Sequence, residues 1–149
     1  MKKFKFSLSH MMDYRNRILD EEQGSLQKIK GEYDRIQQQI DYMTKMFDVV
    51  SSKVNEVQRQ GTTMGELQIL LTQLGSIRVQ LKELDAAQKE TAERLERQRE
   101  VVIEANKEVS KLEKLQDKQY ESYRRKVEKA DEQRIEELVT VNLGRQSAG

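Results

Sequence analysis

The chain has 149 residues, and among them there is no proline, no cysteine and no tryptophan. Average usage would place about seven prolines in a chain of this length. Proline removes a backbone donor and clashes with the preceding turn, so its absence leaves long helices free to run unbroken. Without cysteine there is neither a disulfide framework nor a thiolate metal site. The single histidine, His10, stands beside Met11 and Met12. A soft-metal site needs convergent ligands, and one imidazole in a first helical turn has none. No apolar run approaches the roughly 18 residues of a membrane span, and no signal-peptide pattern opens the chain. Neither sign of charge dominates: 27 basic residues meet 26 acidic ones, a net charge of +1. That balance excludes a nucleic-acid arm and a polybasic membrane patch. Together these absences predict a soluble, cytoplasmic protein with no metal and no cofactor.

What is present points to helices. Ala, Glu, Lys, Leu and Arg supply 65 of the 149 residues, close to the roughly half expected of a long-helix chain. Leu, Ile, Val and Phe supply 36, above the roughly one-fifth below which disorder becomes the better reading. From Leu26 the apolar positions run through Ile29, Tyr33, Ile36, Ile40, Met43, Phe47, Val50, Val54 and Val57. Their spacings alternate three and four without a miss, the averaged period of about 3.5 that buries one seam of a helix against another. Read backward, the ladder passes Leu19, Met12 and Leu8, with Glu22 and Arg15 as polar interruptions. A second ladder starts at Leu67 and continues through Leu70, Leu74, Ile77, Leu81 and Leu84. It weakens at Gln88, Thr91 and Gln98, then recovers at Val102, Ala105, Val109 and Leu112. Beyond these, Tyr120, Tyr123, Val127, Ile135 and Leu138 carry an apolar stripe onward.

Between the ladders lies QGTTMGEL. Two glycines four apart suggest a phosphate loop, but no Lys-Ser/Thr follows and no strand precedes. A turn accounts for the segment better. Gly61 ends the first helix where a left-handed residue is cheapest, and Thr63 with Glu66 forms a capping box for the second. So short a turn makes the helices antiparallel. The expected fold is all-α: two long helices in an antiparallel coiled-coil hairpin, the second longer. The first spans about 9–58, the turn 59–65, the second helix 66–141, and a flexible tail 142–149.

If the chain reverses near Thr62, Leu8 faces about Asp117, and everything after Lys118 lacks a partner in its own chain. The segment QYESYRRKVEKADEQRIEEL, from Gln119 to Leu138, then projects by roughly 30 Å at about 1.5 Å per residue. An isolated helix of that length is marginal in water, so its stripe implies a cover. A frayed tail or a dimer contact is the alternative.

Three blocks together resemble the flagellar FliJ family, soluble components of the flagellar type III export apparatus. The opening FKFSLSHMMDYRNRILDEEQ is similar to the family's start, with Phe6, Leu8, Tyr14 and Arg15 matching its Phe-x-Leu and Tyr-Arg pattern. LQILLTQLGSIRVQL resembles the start of its second helix, and KLEKLQDKQ followed by ADEQRIEEL resembles its C-terminal segment. One departure is Glu136, where many members carry aspartate. The resemblance implies a central stalk inserted in the hexameric flagellar export ATPase, a rotor-like element. Its ring contacts would be Phe6, Leu8, Tyr120, Tyr123, Arg124, Arg125, Val127, Asp131, Arg134, Ile135, Glu136 and Leu138. Charged contacts of this kind are individually weak and exchangeable. The resemblance also implies a contact with the membrane export gate at Leu70, Leu71, Leu74, Ile77 and Leu81. These lie on or beside the seam, so core and partner compete for them, while Ile69, Leu71 and Val79 add apolar surface that a two-stranded seam does not use. Export chaperones of minor filament components are a further implied partner. The implied location is cytoplasmic, peripherally associated with the inner membrane at the flagellar base, and the implied free state is a monomer.

An enzyme is excluded by inventory, since the plentiful carboxylates are helical and solvated, with no apolar pocket to shift them. Two other readings remain open from the residues: the stalk of a virulence secretion system, and a structural tether or dimerisation rod.

Overall fold

The computed structural model describes residues 3–148. It contains two helices, α1 (Ser9–Gln60, 52 residues) and α2 (Met64–Ala148, 85 residues). No strand occurs among the described residues. The two-helix, all-α architecture with a longer second helix is the one the ladders predict. The turn is compact. Gly61 adopts a φ of 86°, a left-handed conformation that a side chain resists. The Thr63 hydroxyl accepts from the Glu66 amide at 3.2 Å, capping α2. The capping box is only half formed, because the Glu66 carboxylate accepts from the Thr62 hydroxyl at 2.8 Å instead of turning back on the Thr63 amide.

Packing divides into two units. The first comprises Glu21–Ile103. Val50 and Val54 of α1 and Leu74 and Ile77 of α2 are buried together, and Met43, Phe47, Leu67, Leu70 and Leu81 pack around them. Burying a Val, Leu or Ile side chain is worth about 1.5–3 kcal/mol, so this cluster is the main stabilising element of the unit. The pairing register is visible in three cross-helix contacts. The Arg78 guanidinium lies 5.5 Å from the Phe47 ring centre. The Gln88 amide donates to Gln37 Oε1 at 2.6 Å, and Arg94 pairs with Glu32 at 2.9 Å. Each agrees with a reversal near Thr62 to within one residue. The part of the seam that reads as weak is closed by polar groups. Gln98 Nε2 donates to Glu22 Oε2 at 2.5 Å and to the Glu22 carbonyl at 3.0 Å. Thr91 is buried, its hydroxyl donating to the Ala87 carbonyl at 2.8 Å. Leu95, absent from the predicted ladder, is buried between these polar positions.

The second unit comprises Met1–Asp20 and Glu104–Gly149. Phe6, Val109 and Leu112 are its buried apolar residues. The Ser9 amide donates to the Phe6 carbonyl at 3.2 Å, tying the segment before α1 to its first turn. That segment corrects the length argument. Phe4 packs edge-on against Tyr120, ring centres 5.3 Å apart, and tilted against Tyr123 at 5.6 Å. Ser7 and Gln119 bond reciprocally, hydroxyl to amide oxygen at 3.3 Å and amide to hydroxyl at 3.2 Å. Residues before the first helix therefore cover α2 past Lys118, as far as Tyr123. Every residue from 131 to 147 is exposed. A second correction concerns the helix end: α2 continues to Ala148, where the sequence reading ends it near 141. Nothing breaks the helix there. No residue beyond Gly61 has a positive φ among those described, and the Thr140 and Ser147 hydroxyls bond back to the Glu136 and Gly144 carbonyls.

Candidate functional site

Two surfaces carry the expected contacts, one in each unit. The first is the end of α2. Helical spacing sets Glu121, Arg124 and Glu128 on one face, and Arg124 bonds to Glu121 at 3.2 Å and reaches Glu128 at 3.9 Å. All three side chains are well exposed, so each pair is worth only a few tenths of a kcal/mol and is readily exchanged for another partner. Arg125, Asp131, Arg134 and Glu136 are exposed as well. Of the apolar residues, Tyr123 and Val127 are half-buried, Tyr120 is 49% exposed, and Ile135 and Leu138 are about 60% exposed. The opening residues behave differently. Phe6 is 7% exposed and belongs to the core of its unit, while Leu8 is half-buried. Phe6 is therefore a packing residue of its unit and not an exposed surface.

The end of α2 also holds apolar residues that the sequence reading passed over. Val139, Val141 and Leu143 are each more than half exposed. Ile135, Leu138, Val139 and Leu143 stand at i, i+3, i+4 and i+8, which gathers them within roughly 140° of the helix circumference. Continuing the period beyond Leu138 finds them. Their opposite face carries Glu137 and Thr140, together with Val141. The end of α2 is thus an amphipathic helix whose apolar side is in water.

The second surface is the start of α2. The structure separates the five expected residues there by depth. Leu74 and Ile77 are 9% and 8% exposed and belong to the core cluster, Leu70 and Leu81 are half-buried against it, and Leu71 is 48% exposed. Only Leu71 offers a large accessible face without opening the seam. Ile69 and Val79 are also exposed. A groove flanks the seam nearby, with a volume of about 720 Å³, lined by Gln38, Gln39, Tyr42, Met43, Leu84 and Ala87 among others. Tyr42, Met46 and Val49 continue an exposed apolar row along α1 beside it. The signal in the sequence is a triplet of apolar residues off the ladder, adjoining the uncharged run Gln37, Gln38 and Gln39.

Both surfaces offer exposed apolar and charged side chains. Among the described residues no group of three His, Asp or Glu side chains is placed to hold a metal ion. No helix among them is long and apolar enough to cross a membrane.

A family model described as Flagellar FliJ protein matches residues 4–148. No curated protein matches the chain. No solved structure matches it.

Proposed function

The chain belongs to the flagellar FliJ family and is a flagellar type III export component, and from that premise we propose that it serves as the central stalk of the hexameric export ATPase. The observation that carries this reading is the end of α2. From 131 to 147 every residue is exposed, on a helix that carries charges of both signs and keeps an apolar side. Exposing that side in water is unfavourable unless another surface covers it in the working state. A ring's central surface provides such a cover and offers each of its subunits to the same helix in turn. Short exposed ion pairs such as Arg124 with Glu121 suit that exchange, because breaking one costs little. The chain contributes no catalytic group. It would act on hydrolysis in the ring by stabilising one arrangement of the subunits over another.

The start of α2 is proposed as the contact with the membrane export gate. Leu71 supplies the accessible apolar face, and Leu70, Leu74, Ile77 and Leu81 hold it in place from the seam. The groove by Tyr42 and Leu84 extends that surface along the other flank. Export chaperones of minor filament components remain proposed partners, as does a peripheral position at the inner membrane. Deleting the residues after Lys118 tests the stalk role. The rest of the chain should stay helical by circular dichroism, while stimulation of ATP hydrolysis by the export ATPase should be lost. Undiminished stimulation by the shortened chain contradicts the proposal.

A further inference from the structure

Residues 3–6 read Lys-Phe-Lys-Phe and form neither helix nor strand. Their exposure alternates: Lys3 and Lys5 are exposed, Phe4 is half-buried and Phe6 is buried. Alternation of this kind is the pattern of an extended chain laid on a surface, with one face down and one in water. The two phenylalanines are held unequally. Phe6 sits in the core of its unit, with its carbonyl bound by the Ser9 amide. Phe4 is held at its edges by Tyr120 and Tyr123, and Tyr120 remains about half exposed beneath it. The polar tie of Ser7 with Gln119 beside it is itself exposed.

From this gradient we infer that residues 3–5 are a displaceable strap. Phe4 occupies the aromatic face of Tyr120 and Tyr123 in the free protein, and leaves it when that stretch of α2 is engaged by a partner. The inference rests on the stalk reading and adds a regulatory step to it. Two of the proposed ring contacts, Tyr120 and Tyr123, are covered by the chain's own residue. A ring subunit that packs on them must first displace Phe4, while Phe6 keeps the segment tethered for return. Free chain would thus engage its ring more weakly than a chain lacking the Phe4 ring. An aromatic pair is worth about a factor of five in an equilibrium constant, so the expected handicap is of that order.

The chain has no tryptophan, so Phe4→Trp places a unique probe in the strap. Incorporated as 5-fluorotryptophan, it is read by fluorine NMR without interference from the partner. In the free protein its resonance should differ from that of the unfolded chain. Adding the hexameric export ATPase should move it toward the unfolded value. In parallel, Phe4→Ala should lower the concentration for half-maximal ATPase stimulation about fivefold. A resonance that is solvent-like from the start overturns the strap, since Phe4 then covers nothing. A resonance that shifts further from the unfolded value on engagement also overturns it, because Phe4 is then a ring contact, and Phe4→Ala should weaken stimulation. The two readings fail differently. Deletion after Lys118 that abolishes stimulation, with a probe that never moves, sinks the strap and leaves the stalk standing. Full stimulation by the deleted chain sinks both.

Discussion

Leu71→Asp and Ile77→Ala, six residues apart on α2, should separate binding from folding. Ile77 is 8% exposed and lies in the buried cluster with Val50, Val54 and Leu74. Truncating it removes three buried carbons and leaves a cavity, at a cost of about 2–4 kcal/mol. Leu71 is already 48% exposed, so aspartate there loses roughly half of a leucine's burial, about 1 kcal/mol, plus about half a kcal/mol of helix propensity. For a chain of this length one kcal/mol moves the midpoint by about 3 °C. Thermal unfolding followed by circular dichroism should therefore show a fall of about 4–5 °C for Leu71→Asp and about 6–12 °C for Ile77→Ala. Binding to the cytoplasmic part of the export gate, measured well below both midpoints, should reverse the order. Leu71→Asp should abolish it, since a charge in an apolar contact costs several kcal/mol. Ile77→Ala should weaken it only modestly. Equal losses of stability would refute the depth argument and place Leu71 in the core. Intact binding by Leu71→Asp would remove it from the gate surface.

Gly61→Ala should destabilise the turn by about 1–2 kcal/mol despite the open space around it, because its φ of 86° is left-handed; equal stability by chemical denaturation would show that the turn relaxes freely. Thr63→Ala should cost about 1 kcal/mol through loss of the hydroxyl acceptor for the Glu66 amide, again read by denaturant midpoint. Gln98→Ala should cost about 1–3 kcal/mol, since its amide closes on the Glu22 carboxylate; the double variant with Glu22→Ala should cost less than the sum of the two single changes, and strict additivity would deny the coupling.

The fold was legible where apolar spacing alone decides burial. Between Leu26 and Val57 every position of the three-and-four ladder is buried or half-buried on α1, with Lys30, Gly31, Glu32, Gln37 and Ser51 half-buried beside it. The turn was legible because Gly61 and Thr63 are chemically suited to it. The middle of α2 was not, since Gln88, Thr91 and Gln98 read as breaks although each finds a bonding partner across or along the seam. A polar residue in a seam looks like an absence until its partner is known, and Leu95 was passed over for the same reason. The cover on Tyr120 and Tyr123 was missed because the length argument counted only helical residues, and Phe4 precedes the helix. Of the two proposed contact surfaces, the periodicity could find the apolar side of each. Their depth was beyond it. Leu70, Leu71, Leu74, Ile77 and Leu81 look alike in sequence, and only the path of α1 across them buries Leu74 and Ile77 and leaves Leu71 in water.

The stalk role is tested most directly by amide hydrogen exchange of the chain, alone and with the hexameric export ATPase. Alone, α2 beyond Ala130 has no packed cover and should exchange fast, while the seam around Val50, Val54, Leu74 and Ile77 exchanges slowly. With the ring added and nucleotide present, exchange should slow selectively from about Arg124 to Leu143, with the largest change beyond Ala130 and none at Gly61. Exchange that stays fast beyond Ala130, with any slowing confined to the start of α2, would contradict the account.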